Sequence, residues 1–168
     1  HAIDLSQLEA VNSALADFVA VANDNMADVF NAVGVARVGA QNFSYVSNFE
    51  FVDVVDVMGL IAQGSQNVDV QASAQAVINA TQSAIFYTRT TDNMPNATGL
   101  SMYFPILSDT FNRDGYIASG IATIMAEGWV SFLDTFHATA TELLANNNVS
   151  ITVTDTSYIG DMVSVLTP

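Results

Sequence analysis

The residues best placed for chemistry lie in "NATGLSMYFP", residues 96 to 105. Gly99-Leu100-Ser101-Met102-Tyr103 comes one residue short of G-x-S-x-G, the turn that presents a nucleophilic serine in hydrolases. The second Gly of that motif allows a tight strand-to-helix turn. Here Tyr103 holds its place, and Phe104 and Pro105 continue an extended path. The turn cannot form, so Ser101 reads as a hydrogen-bonded serine alternating with Leu100 and Met102 in a short buried strand.

Three other candidates carry less. His137 is the one interior histidine, beside Phe136, with Asp134 three residues before it and within helical reach. A general base is conceivable there, but a solvated or boundary histidine is the plainer reading. One histidine without cysteine also makes a weak zinc site. "TFNRDGY" matches a calcium loop at Asn112, Asp114 and Gly115. Thr110 replaces the first carboxylate, however, and Ile121 replaces the closing Glu. An Asn–Arg–Asp–Gly turn explains it better. Asp53 and Asp56 stand one helical turn apart and could form a carboxylate pair, although a solvated face or a contact between elements is the simpler role. There is no Walker loop, GxGxxG, HExxH or CxxC. No catalytic, cofactor-binding or metal-binding residue is therefore assigned.

The elements that hold these residues belong to a chain of 168 residues, the size of one domain or a large part of one. It is 51% apolar, enough for a core, and only 12% charged, which argues against disorder. Seventeen acids face three arginines (Arg37, Arg89, Arg113) and no lysine, a formal charge of −14. That balance disfavours nucleic acid and anionic membranes, and no apolar run suggests a membrane span. It suits work outside the cell or in high salt, where acidic self-repulsion is screened. With no cysteine there is neither disulfide nor thiolate. A first residue other than Met reads as a processed or excised chain. Sequons occur at Asn42, Asn79, Asn96 and Asn148. Asn79 and Asn96 are the poorer acceptors, being close to packed elements.

Ser6-Gln7-Leu8-Glu9 reads as a capping box opening a helix with Leu8, Val11, Leu15, Phe18, Val19 and Ala22 inward. A second helix is expected from about Asn25 to Val38, with Met26, Val29, Phe30 and Val33 on one face. From Val52 on, a helix lined by Val54, Val55, Met58, Leu60 and Ile61 is preferred over a strand, with Asp53 and Asp56 outside. The stretch from Asp69 to Arg89 reads as a long helix facing inward with Ala72, Ala76, Val77, Ala80, Ala84 and Ile85. Asp92 to Asn96 is a turn, Leu100 to Phe104 a buried strand, and "SDTFNRDGY" a loop. Helices are expected from Ile117 to Ala126 and again from Gly128. The second carries a stripe of Trp129, Phe132, Leu133, Phe136, Ala140, Leu143 and Leu144. Val149, Ile151 and Val153 alternate as a strand.

Several of these pieces resemble segments of the clostripain-like cysteine peptidases. "AIDLSQLEAVNSALADF" is similar to that family's "s-a-I-D-L-S-K-L" signature and leucine-rich helix. "FVDVVDVM" resembles its "D-L-Y-D-F" helix, with Val55 in place of the aromatic. "ATGLSMYFP" resembles its "G-L-S-I-Y-F-P" strand, and "GWVSFLDTF" its closing "W-x-x-F-L" helix. Order and rough spacing agree across residues 2 to 136. The resemblance implies an α/β fold: a mostly helical fragment contributing a few strands to a caspase-like sheet. It implies a parent that cleaves after basic residues, with calcium assisting some members. The family's catalytic His and Cys lie upstream of the matched segment, so the resemblance brings no catalytic residue to this chain. His1 does not match the catalytic histidine.

The expectation is then a non-catalytic C-terminal portion of a secreted, extracellular or cell-surface peptidase. Residues 1–148 would be the peptidase-like part, and 149–168 an additional strand or the start of a following segment. Its partner would be the upstream catalytic chain or domain, with homo-oligomerisation also open. The rival is a catalytically inactive peptidase-like module in a surface layer, filament or adhesion protein.

Overall fold

The structure, a computed structural model, describes residues 1–43, 51–106, 111–120 and 128–147. It contains β1 (Ala2–Ile3), a 3-10 turn (Leu5–Gln7), α1 (Leu8–Asp24), α2 (Met26–Gly39), β2 (Phe51–Asp53) and α3 (Val54–Gly64). There follow α4 (Val68–Ala84), β3 (Ile85–Tyr87), β4 (Ser101–Tyr103), α5 (Arg113–Ala118) and α6 (Gly128–Asn147). The class is mixed α and β, mostly helical. The expected strand from Val149 lies outside the described residues.

The five long helices contact one another in a closed order, α6–α1–α4–α3–α2 and back to α6. The apolar stripes drive this. Val11, Leu15, Phe18, Val19 and Ala22 of α1 are buried, as their helical spacing predicts. On α2 the buried set is Met26, Val29, Val33, Ala36 and Arg37. On α4 the inward face is Val70, Ala74, Val77, Ile78, Thr81 and Ala84, whereas Ala72 and Ala76 are exposed. The expected face was rotated because alanine carries little transfer free energy, so Val and Ile set the phase. Helix α4 also stops at Ala84, and Ile85 enters a strand.

The helix starts differ from expectation too. Ser6 does not cap α1 through a box. Asp4 caps the 3-10 turn instead, accepting from the Ser6 amide and hydroxyl at 2.9 and 2.7 Å. The carboxylate takes the two donors that a serine cap would have left for others. The expected loop "SDTFNRDGY" instead carries most of the short α5: Asn112 accepts from the Gly115 amide at 3.0 Å and opens a helix that ends at Ala118, so the helix expected from Ile117 begins earlier, and residues 121–126 lie outside the described residues.

Strands form two antiparallel pairs among the described residues. Ala2–Ile3 joins Ile85–Tyr87, and Phe51–Asp53 joins Ser101–Tyr103 in the register Phe51–Tyr103, Val52–Met102, Asp53–Ser101. The second pair feeds the core. Trp129 Nε1 donates to the Tyr103 carbonyl at 2.6 Å, and the Phe104 ring meets Trp129, Phe132 and Phe136 edge-on. The far half of α6 leaves this core, so Leu143 is exposed rather than on the buried stripe.

Arg37 is the odd member of the interior. It is 2% exposed, its Nε donates to the Phe104 carbonyl, and its Cζ stands 5.7 Å from the centre of the Phe104 ring. Its Nη2 has no partner, and among the described residues no carboxylate pairs with it. Desolvation pushes its pKa down to about 10. An uncompensated buried cation is costly, and an apolar side chain of similar length avoids that cost. Arg37→Met is expected to leave stability unchanged or raise it by up to about 3 kcal/mol, read from the urea midpoint. A clear loss would mean that the guanidinium contacts outweigh its desolvation.

Candidate functional site

The strand-to-helix junction at Asp53 gathers the candidate residues. Asp53 ends β2 and caps α3, accepting from the Val55 and Asp56 amides at 3.0 and 3.1 Å. It also accepts from the Thr98 amide at 2.7 Å and from the Thr98 hydroxyl at 2.7 and 2.9 Å. Its exposure is 0%. Of the two roles expected, a solvated face or a contact between elements, Asp53 takes the second: it is a buried anchor whose charge is met by donors rather than by water. The signal was present in the sequence: an Asp directly before an apolar helical run is an N-cap.

Asp56 points elsewhere. Its Oδ2 accepts from the Gln41 amide at 2.6 Å and from Asn96 Nδ2 at 3.5 Å. The two carboxylates therefore serve separate partners rather than share a proton. Beside them an open cleft of about 230 Å³ is lined by Val55, Asp56, Gly59, Leu60, Gln63, Asn96 and Thr98. It offers one carboxylate, two amides and a hydroxyl already bonded to Asp53. Such a lining suits polar surface contact. It does not bring a nucleophile and a base together.

Ser101 sits opposite Asp53 in the strand pair, as a strand serine should. It is exposed, however, not buried, because Met102 takes the inward face. It shares a depression of about 120 Å³ with His1, Phe43 and Gly99. The His1 ring lies against Gly99, where an added Cβ would stand 2.9 Å from its Cγ, and the Gly99 φ of +123° suits glycine alone. His1 bonds through Nδ1 to the Thr88 hydroxyl at 2.7 Å. A histidine thus approaches Ser101 from a distant part of the chain, which local spacing could not reveal. Among the described residues no hydrogen bond joins the two, so the base–nucleophile contact is missing.

His137 is buried at 5% exposure rather than solvated, because the Phe111 ring stacks on it at 5.1 Å. Its Nε2 has no partner among the described residues. Burial pushes its pKa down, and Asp134 opposes this in part. Asp134 itself is held by Arg113, whose Nε lies 3.0 Å from both carboxylate oxygens.

The calcium-loop residues do not converge on an ion. Asn112 Oδ1 is used as the α5 cap, Asp114 is solvent-exposed, and Thr110 and Ile121 lie outside the described residues. Among the described residues no three acidic or histidine side chains cluster as metal ligands. Of the sequons, Asn79 and Asn96 are exposed, against expectation, while Thr81 is buried and Thr98 is bonded to Asp53. Asn42 is half-buried, and Asn148 lies outside the described residues. No described helix is long and apolar enough to cross a membrane. Comparison with family models, curated proteins and solved structures gives no match.

Proposed function

We propose that this chain is the non-catalytic C-terminal part of a secreted clostripain-like cysteine endopeptidase. It would complete and support a caspase-like sheet whose catalytic strands come from an upstream chain or domain. The observation that carries the reading is the meeting of three segments that resemble the family. "FVD" pairs with "SMY", and Trp129 of "GWVSFLDTF" bonds the Tyr103 carbonyl. Segments far apart in sequence thus form one packed unit.

The short strand pairs support the same reading. Two-stranded pairs of two or three residues are marginal alone, and neighbouring strands would stabilise them. On β3 the Phe86 ring is 73% exposed, and Tyr87 is exposed on the opposite face, so each face leaves an aromatic open to cover by further protein. In this reading the chain's acidity would attract substrates with basic side chains.

The purified chain alone is expected to leave an arginyl ester or amide intact. Ser101→Ala is expected to fold as the parent chain does, with stability changed by less than about 0.5 kcal/mol, since the side chain is exposed. Turnover by the isolated chain that Ser101→Ala abolishes would replace the support role with a serine hydrolase.

A further inference from the structure

The segment Phe111–Gly120, which carries α5, is held to the body by a small set of side chains. Phe111 stacks on His137 with ring centres 5.1 Å apart, and Tyr116 stacks on Tyr103 at 4.6 Å. The Asn112 amide donates to the Tyr103 hydroxyl at 3.1 Å. Arg113 clasps both oxygens of Asp134 on α6. Two buried polar atoms in this contact, His137 Nε2 and the Tyr116 hydroxyl, have no partner among the described residues. We propose that this segment is an acid-released arm, triggered by His137, with Asp134 as the carboxylate for which Arg113 and His137 compete.

A neutral imidazole ring carries one N–H, and an imidazolium carries two. Nε2 is buried without an acceptor beside Phe111, so a proton placed there has neither protein nor water to bond. Moving the arm admits water to that nitrogen. The released imidazolium then stands one helical turn from Asp134, the carboxylate that Arg113 otherwise holds. One protonation event thus weakens both the ring contact and the ion pair.

The groups around His137 are consistent with this direction. Asp134 comes from its own helix. The arm presents Arg113, the solvent-exposed Asp114, and Tyr116, whose pKa is raised to about 12 by burial and by Tyr103. Tyr103 comes from β4. From α2, Phe30 stacks on Phe136, and Arg37 lies over Phe104. Burial outweighs Asp134 and lowers the His137 pKa in the closed state. The released state binds its proton near the ordinary value of about 6.5, and the closed state does so only at lower pH. The closed arm therefore keeps its full stability above that value and loses it as pH falls through it toward the lower closed-state pKa. This proposal does not depend on the peptidase reading.

The test is hydrogen exchange of the intact chain, followed by mass spectrometry at about pH 7.5 and about pH 5 and corrected for intrinsic rates. Protection of 111–120 is expected to fall about tenfold or more at the lower pH, while α1 and α4 keep theirs. His137→Phe keeps an aromatic stack without a titrating group and is expected to remove the pH response. Asp134→Asn is expected to loosen the arm already at the higher pH. An unchanged arm in the parent chain, or the same acid loss in His137→Phe, would overturn the proposal. Should that variant not fold, an NMR titration of the parent chain decides. The Phe111 and Tyr116 ring signals must move with the His137 midpoint, below that of free histidine. Rings that stay still while His137 titrates would overturn the proposal equally.

Discussion

Asp53→Ala is expected to destabilise the chain by about 3–5 kcal/mol, seen as a lower urea midpoint with an unchanged slope. Loss of an exposed N-cap alone would cost only about 1 kcal/mol. The larger figure follows because the same carboxylate holds the Thr98 amide and hydroxyl. Its removal strands four donors around a carboxylate that is itself fully buried. Asp53→Asn separates the contributions. Its oxygen can still cap α3, but its amide would face the Thr98 amide, donor against donor. It should therefore retain part of the stability and lose the tie to residues 96–98. Equal stability of Asp53→Ala and the parent chain would show that the junction is not the anchor described above.

Trp129→Ala is the second large effect, about 3–5 kcal/mol. The indole is fully buried, stacks on Phe132 at 4.6 Å and meets the Phe104 edge at 5.4 Å. Its N–H also satisfies the Tyr103 carbonyl, so truncation leaves both a cavity and an unpaired acceptor. Trp129→Phe keeps most of the packing and loses the hydrogen bond, and should cost about 1–2 kcal/mol. If both variants cost the same, the bond rather than the packing dominates the contact between α6 and β4.

The parts of the fold that were legible in the sequence are those with large apolar residues at helical spacing. Leu15, Phe18 and Val19 fixed the face of α1, and Met26, Val29 and Val33 that of α2. Alanine-rich α4 gave a rotated face, because Ala72 and Ala76 are nearly neutral between water and core. A strand within Leu100 to Phe104 was legible from its flanking Gly99 and Pro105, but its partner at Phe51–Asp53 was not. The strands of two or three residues at Ala2, Phe51 and Ile85 were too short to show a period.

At the candidate site, spacing showed which residues were near one another along a helix, and little more. It placed Asp53 and Asp56 together, yet Thr98 and Gln41, which bind them, are long-range partners. Spacing places His137 at the solvated edge of the α6 stripe, and the Phe111 ring that buries it comes from another element. The approach of His1 to Gly99 and Ser101 likewise depends on tertiary structure.

The proposed role of this chain is to support a site formed elsewhere. The most direct measurement is co-expression with the segment encoded immediately upstream, followed by assay on an arginyl substrate. The account predicts a stable one-to-one assembly whose activity needs both parts, is blocked by thiol alkylation and survives Ser101→Ala. An upstream segment without a histidine–cysteine pair, or full activity in the absence of residues 1–147, would contradict it.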